Sequence, residues 1–194
     1  MKRITFLLII CLFGLNGCKT SKPVTEVYQA PAPDTEATMA EMHPGINFSE
    51  QSTWLLGYFN PGQLKQEPHS HWFYKGYDEY PVNSETIQGL KDIGMDGLTI
   101  KIVLGTWCPD SRREVPRFMK VLDTWKFPSG KLTFIGVDNG KLSPIGEYEQ
   151  LEIHRVPTFI IYRNNIEAGR IIENPVTSLE QDMVNILGGM KNNK

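Results

Sequence analysis

Gly105-Thr106-Trp107-Cys108-Pro109-Asp110-Ser111 is the stretch on which the reading of this chain turns. Before it runs Leu98 to Leu104, a short apolar segment, β-branched from Thr99, of the kind a buried strand requires. After it, Pro109 opens a pattern in which Val115, Phe118, Met119 and Leu122 share one helical stripe. The stretch is therefore a strand-to-helix junction with a cysteine at the turn. Its sulfur sits at a helix N-terminus, where unpaired backbone N–H groups and the macrodipole favour thiolate over thiol. Asp110 suits the same dipole but opposes a second negative charge beside it. Arg112, one helical turn after Cys108, and its neighbour Arg113 offer electrostatic compensation; a solvated helix face is the plainer reading of both.

Working outward, Leu132 to Val137 is another apolar run, ending at Asp138-Asn139-Gly140. Strand, helix and strand in that order predict a right-handed βαβ crossover. Thr158 to Tyr162 and Ala168 to Ile172 flank Asn164-Asn165, a pair that tolerates positive φ, so a β-hairpin follows. Thr177 and Glu180 read as a capping box for a final helix through Leu179, Met183 and Ile186 to Gly188-Gly189. Upstream, Ser52 to Tyr80 is rich in aromatics, with Phe73, Tyr77 and Tyr80 at helical spacing as a core-facing stripe. Asn83 caps a helix from Ser84 to Ile93 that turns Ile87 and Leu90 inward and stops at Gly94. His69 and His71 have no nearby cysteine or acidic ligand, so no metal site is expected.

Trp107-Cys108-Pro109 at a strand–helix junction, followed by Val156-Pro157-Thr158, resembles the thioredoxin family over roughly Ser52 to Gly189. Pro116 strengthens the likeness, because thioredoxins kink this helix with a proline eight residues after the first cysteine. The resemblance implies an α/β thioredoxin fold, a central mixed β-sheet flanked by helices, here with an N-terminal extension. It implies a cis Val156–Pro157 bond facing the cysteine, and a Val156 whose backbone groups pair with a substrate strand. Cys108, Ser111 and Pro157 take the catalytic positions; Trp107, Pro109 and Val156 take the substrate-binding ones.

Two departures shape the expected chemistry. Ser111 stands where the family has its second cysteine, and Ile102 stands where it carries a buried acid. A serine can hydrogen-bond a thiolate but cannot attack a mixed disulfide, so the resolving thiol comes from outside the protein. The expected activity is thiol–disulfide exchange by a monothiol mechanism, with disulfide- or thiol-bearing client proteins and a small-thiol electron donor as partners. No cofactor and no metal are expected. A non-turnover binding or holding module on the same fold is the alternative. Peroxide reduction fits poorly, since Gly105 occupies the threonine position of the peroxidatic pattern. His154, three residues before Pro157, is a proton-donor candidate whose plainer reading is an ordinary loop histidine.

The N-terminus reads as a processing signal. Lys2-Arg3 precedes an apolar run from Ile4 to Leu15, too short for a transmembrane helix, which needs about 20 apolar residues. It ends in Leu15-Asn16-Gly17-Cys18, which resembles the bacterial lipoprotein box. That resemblance implies a leader over 1–17, lipidation of Cys18, and a location in the cell envelope. The protein would be lipid-anchored and periplasm-facing, at the outer rather than the inner membrane, since Lys19 is not the retaining aspartate. Residues 18–50, rich in Pro, Thr, Ala and Glu, read as a tether, and 51–194 as the folded domain. At 194 residues, 40% hydrophobic and 22% charged, the chain has enough for one sizeable core. Loss of Lys2 and Arg3 takes 20 basic residues to 18 against 22 acidic, a net −4 with no basic tract, which argues against nucleic-acid binding. Of the three cysteines, Cys11 leaves with the leader and Cys18 is acylated, so Cys108 is the one free thiol and no internal disulfide is possible.

Overall fold

The computed structural model describes residues 47–189; Cys18, the leader and nearly all of the tether lie outside them. Within that span the chain runs β1 (Gly57–Tyr58), α1 (Ser70–Glu79), α2 (Ser84–Ile93), β2 (Leu98–Leu104), α3 (Pro109–Trp125), β3 (Leu132–Gly136), β4 (Thr158–Arg163), β5 (Ile166–Ile172) and α4 (Leu179–Gly189). The strands form one five-stranded sheet in the order β1-β3-β2-β4-β5. β2 and β3 are parallel and the other pairs antiparallel, so the sheet is mixed.

β2 is the middle strand, and its alternation sorts the core. Leu98, Ile100, Ile102 and Leu104 pack on one face with Phe118, Leu122 and Phe159. Val103 faces the other way, into a smaller cluster with Cys108, Ile135, Val137, Val156 and Ile160. The second face is covered only toward the end of the strand, at Val103. Nearer its start that face carries exposed Thr99 and half-buried Lys101, so the strand alternates first and turns fully apolar from Ile102.

α3 carries the junction residues and is the most buried helix, with Val115, Phe118 and Leu122 fully enclosed. Stacking of Phe118 on Phe159, with ring centroids 4.1 Å apart, fastens it to β4. α1 approaches it closely at Gly76, where a Cβ would lie only 2.6 Å from the Cγ of Pro116. The expected stripe on α1 is broader than predicted: Trp72 and Phe73 are buried, while Tyr77 and Tyr80 are half-buried. Both tyrosines keep their hydroxyls on partners at the edge of the core, Asp123 and Glu180 respectively, each at 2.8 Å. α2 matches its prediction, with the Asn83 side chain accepting from the amide of Thr86 and Gly94 closing the helix.

The hairpin forms as expected, with Asn164 and Asn165 at φ 52° and 64°; β5 starts earlier than predicted, at Ile166. The capping box needs correction. Ser178, not Thr177, caps α4, its Oγ accepting from the amide of Gln181 at 3.2 Å. The Thr177 amide donates instead to Asp182, at 3.1 Å. Glu180 is turned inward, 1% exposed, and accepts from the Tyr80 hydroxyl and the Asn83 amide. A motif read by spacing loses to a buried carboxylate with two donors aimed at it. Among the described residues no helix is long and apolar enough to cross a membrane.

Candidate functional site

Cys108 is the N-cap residue of α3, with extended backbone angles and Pro109 at the first helical position. Its N–H donates to the Gly105 carbonyl at 2.9 Å, and its carbonyl accepts from the Arg112 amide at 3.1 Å. The side chain does not cap the helix. The sulfur turns instead toward the loop before β4, where Sγ lies 3.4 Å from the carbonyl oxygen of Val156. Only 7% of Cys108 is exposed.

The facing loop is held from both sides. The Val156–Pro157 bond is cis, the Thr158 hydroxyl donates to the Arg155 carbonyl at 2.7 Å, and the Glu173 amide donates to the Pro157 carbonyl at 2.7 Å. Trp107 is half-buried against the same small cluster, its indole N–H donating to the Val137 carbonyl at 3.0 Å. Gly105 makes that pose possible, since a Cβ there would sit 2.4 Å from the indole nitrogen. Pro109 is exposed at the rim. The structure thus gathers Trp107, Cys108, Pro109, Val156 and Pro157 at one end of the sheet.

Ser111 lies fully buried beneath the turn, and its Oγ accepts from the Gly105 amide at 3.3 Å. Asp110 pairs with Arg113 at 2.7 Å, both side chains about one-third exposed, so its charge is met one turn along the helix. Arg113 also reaches Glu114 and the side chain of Asn174. For Arg112 the solvated-face reading fails. It is 7% exposed, and its Nη1 donates to the Thr106 carbonyl at 3.0 Å and the Trp107 carbonyl at 2.9 Å. Ile102 is fully enclosed under the sheet, with no acid in its place. His154 is exposed and lines a shallow cavity of about 290 Å³ with Glu152, Arg155, Arg170 and Glu173.

Sequence reasoning missed the segment before β1. The Trp54 ring lies 6.4 Å from that of Trp107, and the Thr106 hydroxyl donates to the Thr53 carbonyl at 3.2 Å while accepting from the Leu55 amide at 3.3 Å. Phe48, at the end of the stretch read as tether, packs on the core and sits under the Arg112 guanidinium at 4.5 Å. The available signal is an aromatic at the close of a Pro- and Glu-rich run. His69, weighed in the sequence only as a metal ligand, is 3% exposed, its Nδ1 has no hydrogen-bond partner, and burial first, then Arg112, pull its pKa down to about 4. Among the described residues no group of His, Cys, Asp and Glu is placed to hold a metal ion.

No protein-family model matches this chain, and no curated protein is significantly similar to it. Among solved structures it resembles a protein of unknown function from Pseudomonas aeruginosa, 13% identical over 63% of this chain and 81% of that one, with a TM-score of 0.44. A likeness of that degree carries nothing about function.

Proposed function

We propose that this protein is a thiol–disulfide oxidoreductase of the thioredoxin fold that works through a single thiol, Cys108. The observation that carries the reading is the placement of Cys108 as the N-cap residue of α3 with its Sγ 3.4 Å from the carbonyl oxygen of the residue before Pro157. A thiol there has a helix N-terminus beside it and a client-docking edge opposite.

The chemistry runs in two exchanges. The Cys108 thiol gives its proton to solvent, and the thiolate attacks one sulfur of a client disulfide. A Cys108–client S–S bond forms as the client's own S–S bond breaks, and the released client thiolate takes up a proton. A second thiol then attacks the mixed disulfide and Cys108 leaves as thiolate. If that thiol is a small donor, two exchanges by donor molecules reduce the client and oxidise the donor. If it is the client's other cysteine, the disulfide is rearranged with no net oxidation. Ser111 holds the turn through Gly105 and takes no part as a nucleophile. Trp107 and Pro109 form the rim on which a client rests, and Val156 offers the backbone edge. By the lipoprotein-like leader, the protein acts in the cell envelope on exported clients.

A second reading has one observation in its favour: a sulfur only 7% exposed, with no second cysteine among the described residues, suits a module that holds clients without turnover. Reduction of a model protein disulfide such as insulin, with and without a small thiol, separates the two. The oxidoreductase reading expects turnover that requires both the small thiol and Cys108. Turnover at the rate of a Cys108→Ala control, with the small thiol present, refutes it in favour of holding.

A further inference from the structure

We propose that Phe48, acting through Arg112, is a positioning residue for Cys108, so that the segment before β1 is part of the active site. This rests on the oxidoreductase reading for its meaning, but not for its test. The chain of contacts is continuous. The Phe48 ring supports the Arg112 guanidinium at 4.5 Å, and Arg112 Nη1 donates to both Thr106 and Trp107 carbonyls, at 3.0 and 2.9 Å. Those two carbonyls belong to the residues immediately before Cys108. The Thr106 hydroxyl is gripped from the same segment, donating to the Thr53 carbonyl and accepting from the Leu55 amide. Phe48 is itself fixed to this run, because its carbonyl accepts from the Trp54 indole N–H at 2.9 Å.

The electrostatics give this clamp a purpose. Two carbonyl oxygens at the turn place the negative ends of two peptide dipoles within a residue or two of the sulfur. Left unopposed in a buried turn, they work against negative charge on Sγ and against approach of an anionic reagent. A guanidinium spanning both cancels that field with a full positive charge and fixes the turn in one geometry. Thr106 is fully buried, so water cannot do the same work at its carbonyl; Trp107 is only half-buried. Phe48 supplies the flat face that holds the guanidinium over the carbonyls, which a flexible arginine does not hold unaided.

The test reads Cys108 modification in the full-length chain, peptide by peptide, by mass spectrometry. Rates with anionic iodoacetate and neutral iodoacetamide are compared in wild type, Arg112→Met, Arg112→Lys and Phe48→Ala. A merely structural role changes both rates together; a positioning charge changes their ratio. Arg112→Met is expected to lower the iodoacetate-to-iodoacetamide ratio about fivefold, with most of it kept in Arg112→Lys. Phe48→Ala, with the charge retained but its support gone, is expected to lower the ratio about twofold. An unchanged ratio in Arg112→Met or in Phe48→Ala overturns the proposal. Should Arg112→Met fail to fold, the Phe48→Ala ratio alone decides. None of these readouts involves disulfide turnover, so the proposal and the oxidoreductase reading fail separately.

Discussion

The sulfur of Cys108 and the carbonyl oxygen of Val156 lie 3.4 Å apart although 48 positions separate the residues in sequence. The thiol is the donor in this contact, and it closes the gap between the start of α3 and the loop before β4. Replacing Cys108 by alanine removes the donor and leaves a small void, a loss of about 1–2 kcal/mol. Cys108→Ser keeps a hydroxyl donor on a shorter Cβ–O bond and should recover at most about half of that. Urea unfolding of the two variants checks it: a serine variant no more stable than the alanine one shows that packing alone operates here.

Gly76 sets up a contest between two effects of known size. In an open helix, Gly→Ala gains about 1 kcal/mol from backbone entropy. Here the new Cβ would sit 2.6 Å from a ring carbon of Pro116, which cannot swing aside. Overpacking of that kind costs about 1–3 kcal/mol, so Gly76→Ala should destabilise. A stabilised variant in urea unfolding would show that α1 shifts freely away from α3.

His69 makes stability depend on pH in a definite direction. Its folded pKa is lowered from 6.5 to about 4, mainly by burial, then by Arg112, against a smaller upward pull from Glu67. Between those values the unfolded chain binds more protons at this site than the folded one. Stability therefore falls as pH drops from above 6.5 toward 4, and is unaffected by this group at higher pH. The contribution is on the order of 2 kcal/mol. In His69→Phe, the acid limb of the stability curve should be shallower by that amount; an identical limb would remove His69 from the account.

Much of this was legible beforehand, and the reasons are physical. β2 and α3 were readable because a short β-branched apolar run and apolar residues spaced three to four apart leave different patterns in the sequence. The hairpin was readable because Asn164-Asn165 must both take positive φ. The α4 cap was misread because Thr177–Glu180 and Ser178–Gln181 overlap, and only the fold shows Glu180 drawn inward to Tyr80 and Asn83. For Arg112 the sequence left electrostatic compensation and a solvated face both open, because helical position alone does not show that two carbonyls wait behind it. Phe48 was missed for a related reason: one aromatic has no periodicity, and its value comes from a guanidinium contributed from far along the chain.

Ser111 marks what the site lacks. A cysteine there begins one helical turn from Cys108, at the spacing from which an internal disulfide forms. Ser111→Cys should form that bond in an oxidising buffer and gain reductase turnover driven by a dithiol. The gain should be incomplete, since Ile102 offers no base beneath the second thiol. Because Ser111 is fully buried and bonded to Gly105, the variant should also lose some stability, about 1 kcal/mol. Failure to form the bond, seen by intact mass under oxidising conditions, would mean that position 111 does not face Cys108.

The most direct test of the oxidoreductase reading is capture of the mixed disulfide itself. The full-length chain is mixed with a peptide disulfide, quenched with acid at intervals, and mapped by mass spectrometry. The account predicts a peptide adduct on Cys108 that builds within the reaction time and is released when a small thiol is added. It also predicts no adduct at this position in Cys108→Ala. Absence of any adduct on Cys108 at every time point, with the peptide disulfide still reducible by free thiol in the same buffer, would contradict it.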